Sequence, residues 1–200
     1  MYKSNRNILK RLAAGFTLAI GLALLILFNT HGIIEESAAE ELAELNYFEH
    51  FRLEGLDGET FTENDIHAHK LTVVNAWAPW CTYCVAEMPD LEKLSKEYAA
   101  QDVYFVGVVG DYYLNQQKHN AEWMTGYDAD IRDEQAVTGI SYPSVLADQD
   151  FNTYMLPTMH NSFPGTWAVD QSGKIIGFRS GSADEEAWRE QINEWLKEVS

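Results

Sequence analysis

The chain predicts an α/β fold: a central mixed β-sheet flanked by helices, with an N-terminal hairpin extension and one transmembrane helix ahead of the domain. Three observations carry this. Two apolar, β-branched runs, Leu71–Trp77 and Val103–Val109, bracket a stretch in which Met88, Leu91, Leu94 and Tyr98 recur at helical spacing. Two further runs, 167–169 and 174–179, flank the turn sequence Asp170-Gln171-Ser172-Gly173. Residues 12–28 (LAAGFTLAIGLALLILF) carry no charge at all.

At the N-terminus, residues 1–11 hold Lys3, Arg6, Lys10 and Arg11, and no acid occurs before Glu35. A helix over 12–28 would rise ~26 Å, close to the hydrocarbon thickness of a bilayer. Basic residues before it and acids after it predict a cytoplasmic N-terminus and an exported remainder, by the positive-inside bias. Two readings stay open, an uncleaved anchor and a signal peptide that a peptidase removes. The length of the apolar run favours the anchor, and Thr30-His31-Gly32 is only a permissive cleavage match. No cysteine near residue 30 supports a lipid anchor. Residues 29–46 include the acidic, Ala-rich segment EESAAEELAELN and read as a spacer, which leaves 47–200 as the folded domain.

Within that domain, 47–53 alternates moderately and Leu56-Asp57-Gly58 is a turn signal before a short strand at 59–62, so the pair predicts a hairpin. Leu71–Trp77 has the character of an interior strand covered on both faces. Strand, helix over 85–100, and strand Val103–Val109 make a βαβ unit with parallel strands and a right-handed crossover. Pro89 inside that helical pattern predicts a kink. Residues 110–142 are polar and weakly helical, with 115–124 the best helical stretch; a short strand follows at 144–147. The runs around Asp170–Gly173 should pair antiparallel. Ser182, with Glu185 three residues on, reads as a capping box opening a last helix whose Trp188, Ile192, Trp195 and Leu196 share one face.

Composition narrows the chemistry. With 46% hydrophobic residues over 200 positions the chain can build a core, and a net charge of −17 excludes a nucleic-acid backbone as partner. Two cysteines are too few for a disulfide scaffold or a four-thiolate metal site. They stand as Cys81-Thr82-Tyr83-Cys84, directly after the interior strand and at the start of a helix. Helix N-termini offer unpaired N–H groups and partial positive charge, which stabilise a thiolate. Spacing i, i+3 brings the sulfurs within bonding reach, Cys81 at the solvent end as nucleophile and Cys84 one turn in as resolving thiol. A purely structural bridge is a rival, although closing so short a loop gains little entropy. A metal site is another, with His67, His69 or His160 as the missing ligands.

The segment Asn75-Ala76-Trp77-Ala78-Pro79-Trp80-Cys81-Thr82-Tyr83-Cys84-Val85-Ala86-Glu87-Met88-Pro89 resembles the active-site region of the thioredoxin superfamily, most of all its TlpA/ResA-like branch of membrane-anchored thiol-disulfide reductases. The resemblance spans about 47–198 and implies a three-layer thioredoxin-like fold. A second landmark, Phe163-Pro164-Gly165-Thr166-Trp167-Ala168-Val169-Asp170, resembles the family's cis-proline strand. By that resemblance Pro164 is cis and faces the cysteines, holding Phe163 so that its backbone pairs with an extended substrate; an ordinary edge proline is the plainer alternative. Thioredoxins proper carry a buried acid six residues before the first cysteine, where this chain has Asn75. Glu87, three residues after Cys84 on the same helix face, can instead approach the thiol and shuttle its proton. Its rival reading is a surface glutamate. Trp80 is expected to shield the sulfur, and Trp77 to lie in the core.

The expected activity is protein-disulfide reduction with no cofactor and no metal. Cys81 attacks a client disulfide and Cys84, aided by Glu87, resolves the mixed disulfide. The resemblance implies exported clients such as apocytochrome c, a transmembrane electron donor resembling DsbD or CcdA, and a place at the bacterial cytoplasmic membrane with the catalytic domain in the periplasm or extracytoplasmic space. A disulfide oxidant or isomerase is the rival within the same chemistry. A Sco-like copper-binding protein is the rival outside it, although that family uses a C-x-x-x-C pair.

Overall fold

The computed structural model describes residues 47–160 and 162–199. The segments expected at 1–11, 12–28 and 29–46 lie outside the described residues. Among those described, no helix is long and apolar enough to cross a membrane.

The chain enters through a 3-10 turn, Tyr47–Glu49, and a hairpin of β1 (Arg52–Glu54) and β2 (Thr60–Thr62). The strand expected over 47–53 is therefore shorter. Tyr47, Phe48 and Phe51 turn inward and pack edge-on and stacked with ring centroids 5.0–5.6 Å apart, which a strand's alternation would forbid. A short helix α1 (Glu63–His67), unforeseen in the sequence, follows β2; the Asp65 carboxylate accepts from Thr62 N–H at 2.8 Å and fixes its first turn.

Next come β3 (Leu71–Trp77), helix α2 (Thr82–Tyr98) and β4 (Val103–Val109). β3 and β4 pair in parallel from Leu71↔Val103 to Trp77↔Val109, as the βαβ reading requires. α2 runs on through Pro89 to Tyr98. The region expected to hold one helix at 115–124 holds two, α3 (Tyr112–Lys118) and α4 (Ala121–Thr138). The break falls at Asn120, whose extended backbone and side chain, accepting from Trp123 N–H at 2.9 Å, start a new helix. α4 ends at Gly139 with φ +71°, a left-handed cap that favours glycine.

β5 (Ser144–Leu146) adds parallel to β4, and a π-turn and a 3-10 turn occupy Phe151–Met155 and Leu156–Met159. β6 (Gly165–Asp170) and β7 (Ile175–Ser180) form the expected antiparallel pair. The Asp170 carboxylate holds their turn by accepting from Ser172 N–H and Lys174 N–H. α5 (Glu185–Glu198) closes the domain. Its cap is Asp184, whose Oδ1 accepts from Ala187 N–H at 2.9 Å; the capping box expected at Ser182 does not form, because the helix begins two residues later than that reading placed it.

The seven strands lie in the order β2-β1-β5-β4-β3-β6-β7, a mixed sheet. Alternation along β3 sends Leu71 and Val73 toward a core with Leu91 and Leu94 of α2 and Trp188, Ile192 and Trp195 of α5. Val74 and Ala76 face the opposite core, built from Phe48, Phe61, Phe151, Met155 and Trp167. Helices and sheet thus stack in the three-layer, thioredoxin-like arrangement expected.

Asp184→Ala removes a cap and should lower the free energy of unfolding by about 1 kcal/mol, while Ser182→Ala stays within about 0.5 kcal/mol. Urea denaturation of both variants checks this assignment of the cap.

Candidate active site

The carboxyl end of β3 delivers the cysteine pair. Beyond Trp77 the backbone turns, Cys81 N–H donates to the Ala78 carbonyl at 3.0 Å, and Cys81 becomes the N-cap of α2. Its Sγ accepts from Cys84 N–H at 3.2 Å, so a helix-end donor already points at the sulfur. Cys81 and Cys84 are disulfide-bonded, with Cα atoms 5.3 Å apart. Cys81 keeps 6% of its surface and Cys84 none, so only Cys81 can meet a macromolecular partner. Both sulfurs belong to an apolar cluster with Trp77, Ala78, Met88 and Val109.

Glu87 is 2% exposed, which removes the surface-glutamate reading. Its Oε1 accepts from Asn75 Nδ2 at 3.1 Å, and its Oε2 from Ala183 N–H at 3.1 Å and Trp188 Nε1–H at 3.0 Å. Asn75 faces this side because residues 71, 73 and 75 of β3 share the face covered by α2 and α5. The acid thus sits on the helix but contacts the strand position where thioredoxins proper carry theirs. Desolvation by burial pushes the Glu87 carboxyl up to about 7, against the downward pull of its three donors and of Arg179. A carboxyl poised there exchanges protons at neutral pH, one helical turn from the buried Cys84.

Asn75 also ties Glu87 to β6. Its Nδ2 also donates to Thr166 Oγ1 at 2.9 Å, while its buried Oδ1 has no hydrogen-bond partner among the described residues.

The Phe163–Pro164 peptide bond is cis, as the resemblance implied. Pro164 is buried and its carbonyl accepts from Gly181 N–H at 2.9 Å. Phe163 packs on the cluster that holds both cysteines. Its ring lies so close over Gly110 that a Cβ there would come within 2.6 Å, so glycine just after β4 leaves room for the ring.

Trp77 is fully buried, its indole N–H donating to Ser144 Oγ at 3.0 Å. Trp80 is 62% exposed; its indole N–H donates to Asp111 Oδ2 at 2.7 Å and its ring meets Phe163 edge-on at 5.6 Å. Asp111, absent from the sequence reading, also accepts from the Tyr127 hydroxyl and from Asn115 Nδ2. Burial and Asp111 raise the Tyr127 hydroxyl far above the ordinary phenol range, so it stays a donor. The available signal was positional. An acid stands just past the carboxyl end of a strand parallel to the one that carries the cysteines, where ligand sites of open α/β sheets gather.

Of the histidines weighed as metal ligands, His69 and the nearby His67 lie at the far end of β3. His69 Nδ1 is 2.9 Å from Asp102 Oδ1 and its ring stacks on Tyr104, at the amino end of β3 and β4. Seven strand residues separate that end from Cys81, roughly 20 Å. His67 ends α1 and His160 caps the 3-10 turn. Among the described residues no group of three or more His, Cys, Asp or Glu is placed to hold a metal ion.

A sequence profile of the Redoxin family matches residues 43–192. The chain is 30% identical to a thiol:disulfide interchange protein DsbE of Pseudomonas fluorescens biotype C, over 72% of this chain and 71% of that protein. It is 26% identical to the thiol-disulfide oxidoreductase ResA of Geobacillus thermodenitrificans, over 71% and 72% respectively. A thiol:disulfide interchange protein of Chlorobium tepidum shares the fold, with a TM-score of 0.53 at 19% identity over 73% of this chain and 92% of that one. These relatives bear out the resemblance to the thioredoxin superfamily and its ResA-like branch.

In the reduced protein, iodoacetamide should label Cys81 and leave Cys84 unmodified, checked by peptide mass spectrometry. For Glu87 the unfolded chain ionises near 4.5 and the folded one near 7, so the native state holds an extra proton between those values. Stability then falls as pH rises through that window, by up to about 3 kcal/mol, and levels off above it. Glu87→Gln should lack this loss, gaining on the wild type between pH 5 and pH 8 in denaturation of the oxidised protein.

Proposed function

The chain belongs to the Redoxin family and is a thiol-disulfide oxidoreductase of DsbE/ResA type, and on that premise we propose that it works as a reductant of disulfides in exported client proteins. The observation that carries this direction is the poverty of positive charge around Cys81. From Leu71 to Glu92 there is no Lys, Arg or His, and the hydrogen bond to Cys81 Sγ comes from a single backbone N–H. A thiolate without a cation is costly, so the disulfide is the favoured state and the dithiol gives up its electrons readily.

The reaction balances on the residues present. Cys81 thiolate attacks one sulfur of the client disulfide, a mixed disulfide forms, and the client's other sulfur leaves as a thiolate. Cys84 gives its proton to Glu87 and attacks the Cys81 sulfur, releasing the second client thiol. Two electrons pass to the client and Cys81–Cys84 ends oxidised. Because Cys84 is sealed from water, its proton needs an internal acceptor, and the near-neutral Glu87 supplies one. Phe163 and Pro164 flank the attack site. The domain would be held at the outer face of the bacterial cytoplasmic membrane by residues 12–28. It would be recharged by a transmembrane donor resembling DsbD or CcdA, with clients of the apocytochrome c kind.

The test has two arms. The Cys81–Cys84 couple should have a reduction potential at or below about −200 mV, and a value near −120 mV would mark an oxidant instead. In cells, Cys84→Ala should accumulate mixed disulfides on Cys81 with exported proteins. Recovery of no covalent partner would overturn the reading.

A further inference from the structure

Beside the cysteine pair lies a groove of about 410 Å³ that the exchange chemistry leaves unused. One wall is the active-site loop at Trp80, the residue before the nucleophile; the other is α4. Trp123, Tyr127, Asp130 and Glu134 follow along one face of α4 at spacings of four, three and four, and Asp133 adds a carboxylate beside them.

The groove is prepared rather than incidental. Both aromatic walls are fastened to one buried carboxylate: Asp111 Oδ2 takes the Trp80 indole N–H, and Oδ1 takes the Tyr127 hydroxyl. Trp123 stacks on both Tyr127 and His119, with centroids 5.2 and 3.7 Å apart, and is 41% exposed, so its edge meets solvent while the more exposed ring of Trp80 stands across the groove. Along the same groove, the carboxylates of Asp130, Asp133 and Glu134 form no ion pair among the described residues, and none of the lining residues is a Lys or Arg. The exposed indole of Trp80 facing unpaired carboxylates matches one class of side chain, a cation that meets both ring and charge.

Position supplies the occupant. Trp80 immediately precedes Cys81, so the groove opens beside the sulfur that a client polypeptide has to reach. We infer that the groove between Trp80 and α4 receives a Lys or Arg side chain of the client close to its reacting cysteine, and thereby selects clients whose cysteine has a basic neighbour. This rests on the thiol-disulfide exchange proposed above.

The test uses the reduced protein and a series of nine-residue peptides. Each bears one cysteine as a mixed disulfide with 2-mercaptoethanol, and a Lys, Arg, Ala or Glu is moved from four positions before it to four after. Neutral bis(2-hydroxyethyl) disulfide serves as the reference. The expected result is a preference of about tenfold for Lys or Arg over Glu in the second-order rate, confined to one or two positions. Asp130→Asn/Asp133→Asn/Glu134→Gln should bring that ratio toward one. Removing equal charge from α5 by Glu190→Gln/Glu194→Gln/Glu198→Gln should keep it, which separates the groove from the general field of an acidic protein. Reaction of the reference disulfide with peptide rates within twofold of each other would overturn the groove alone, as would equal loss in the two triple variants. No reaction of the reference disulfide would overturn the exchange reading beneath it.

Discussion

Strand β3 has no side toward water. All seven of its residues are buried, one edge is hydrogen-bonded to β4 and the other to β6, and both faces are covered by apolar side chains. A strand so enclosed cannot shift register without exposing one hydrophobic set and burying another. Its carboxyl end is therefore a fixed point, and the cysteine pair is placed one short turn beyond it. Helix α2 starts at that point, capped by Cys81 and carrying Cys84 and Glu87 in its first two turns, so the three side chains share the rigidity of the sheet centre.

The same enclosure governs the chemistry. Glu87 enters the space under α2 at the expense of its hydration, which raises its proton affinity, and Asn75, Ala183 and Trp188 return part of that loss through hydrogen bonds. Neither effect wins outright, and the result is a group near neutrality. Arg179, whose guanidinium carbon lies 5.3 Å from the Trp188 ring centroid, contributes to the balance without an ion pair to the carboxylate. At Cys81 the competition is one-sided, because a single helix-end N–H faces the sulfur and no cation is near in sequence. The proton affinity of Glu87 and the surroundings of the Cys81 sulfur are thus set by one feature, a dry region at the end of a buried strand.

A second set of contacts works from the solvent side. Asp111 joins the active-site loop to α4 through Trp80 and Tyr127, and Trp80 in turn touches Phe163 beside the cis proline. Surfaces on either side of Cys81 are therefore mechanically linked, although they come from chain segments dozens of residues apart.

How much of this could be read in advance follows from the range of each interaction. The turn at Asp170–Gly173, the βαβ unit and the placement of Cys81 at a helix start depend on neighbours within a few residues, and the sequence alone determined them. The cysteine chemistry was legible for the same reason. The short inward turn at Tyr47–Phe48, the break at Asn120 and the cap at Asp184 were misjudged or missed, because several local solutions were compatible with the pattern and packing chose among them. What only the tertiary structure decided is the state of Glu87 and the company of Asp111. Glu87 owes its surroundings to Asn75, twelve residues before it, and to Ala183 and Trp188, about a hundred residues after it. A side chain's proton affinity depends on the water it loses and the donors it gains. Both are supplied by groups that meet only when the sheet and its helices close together.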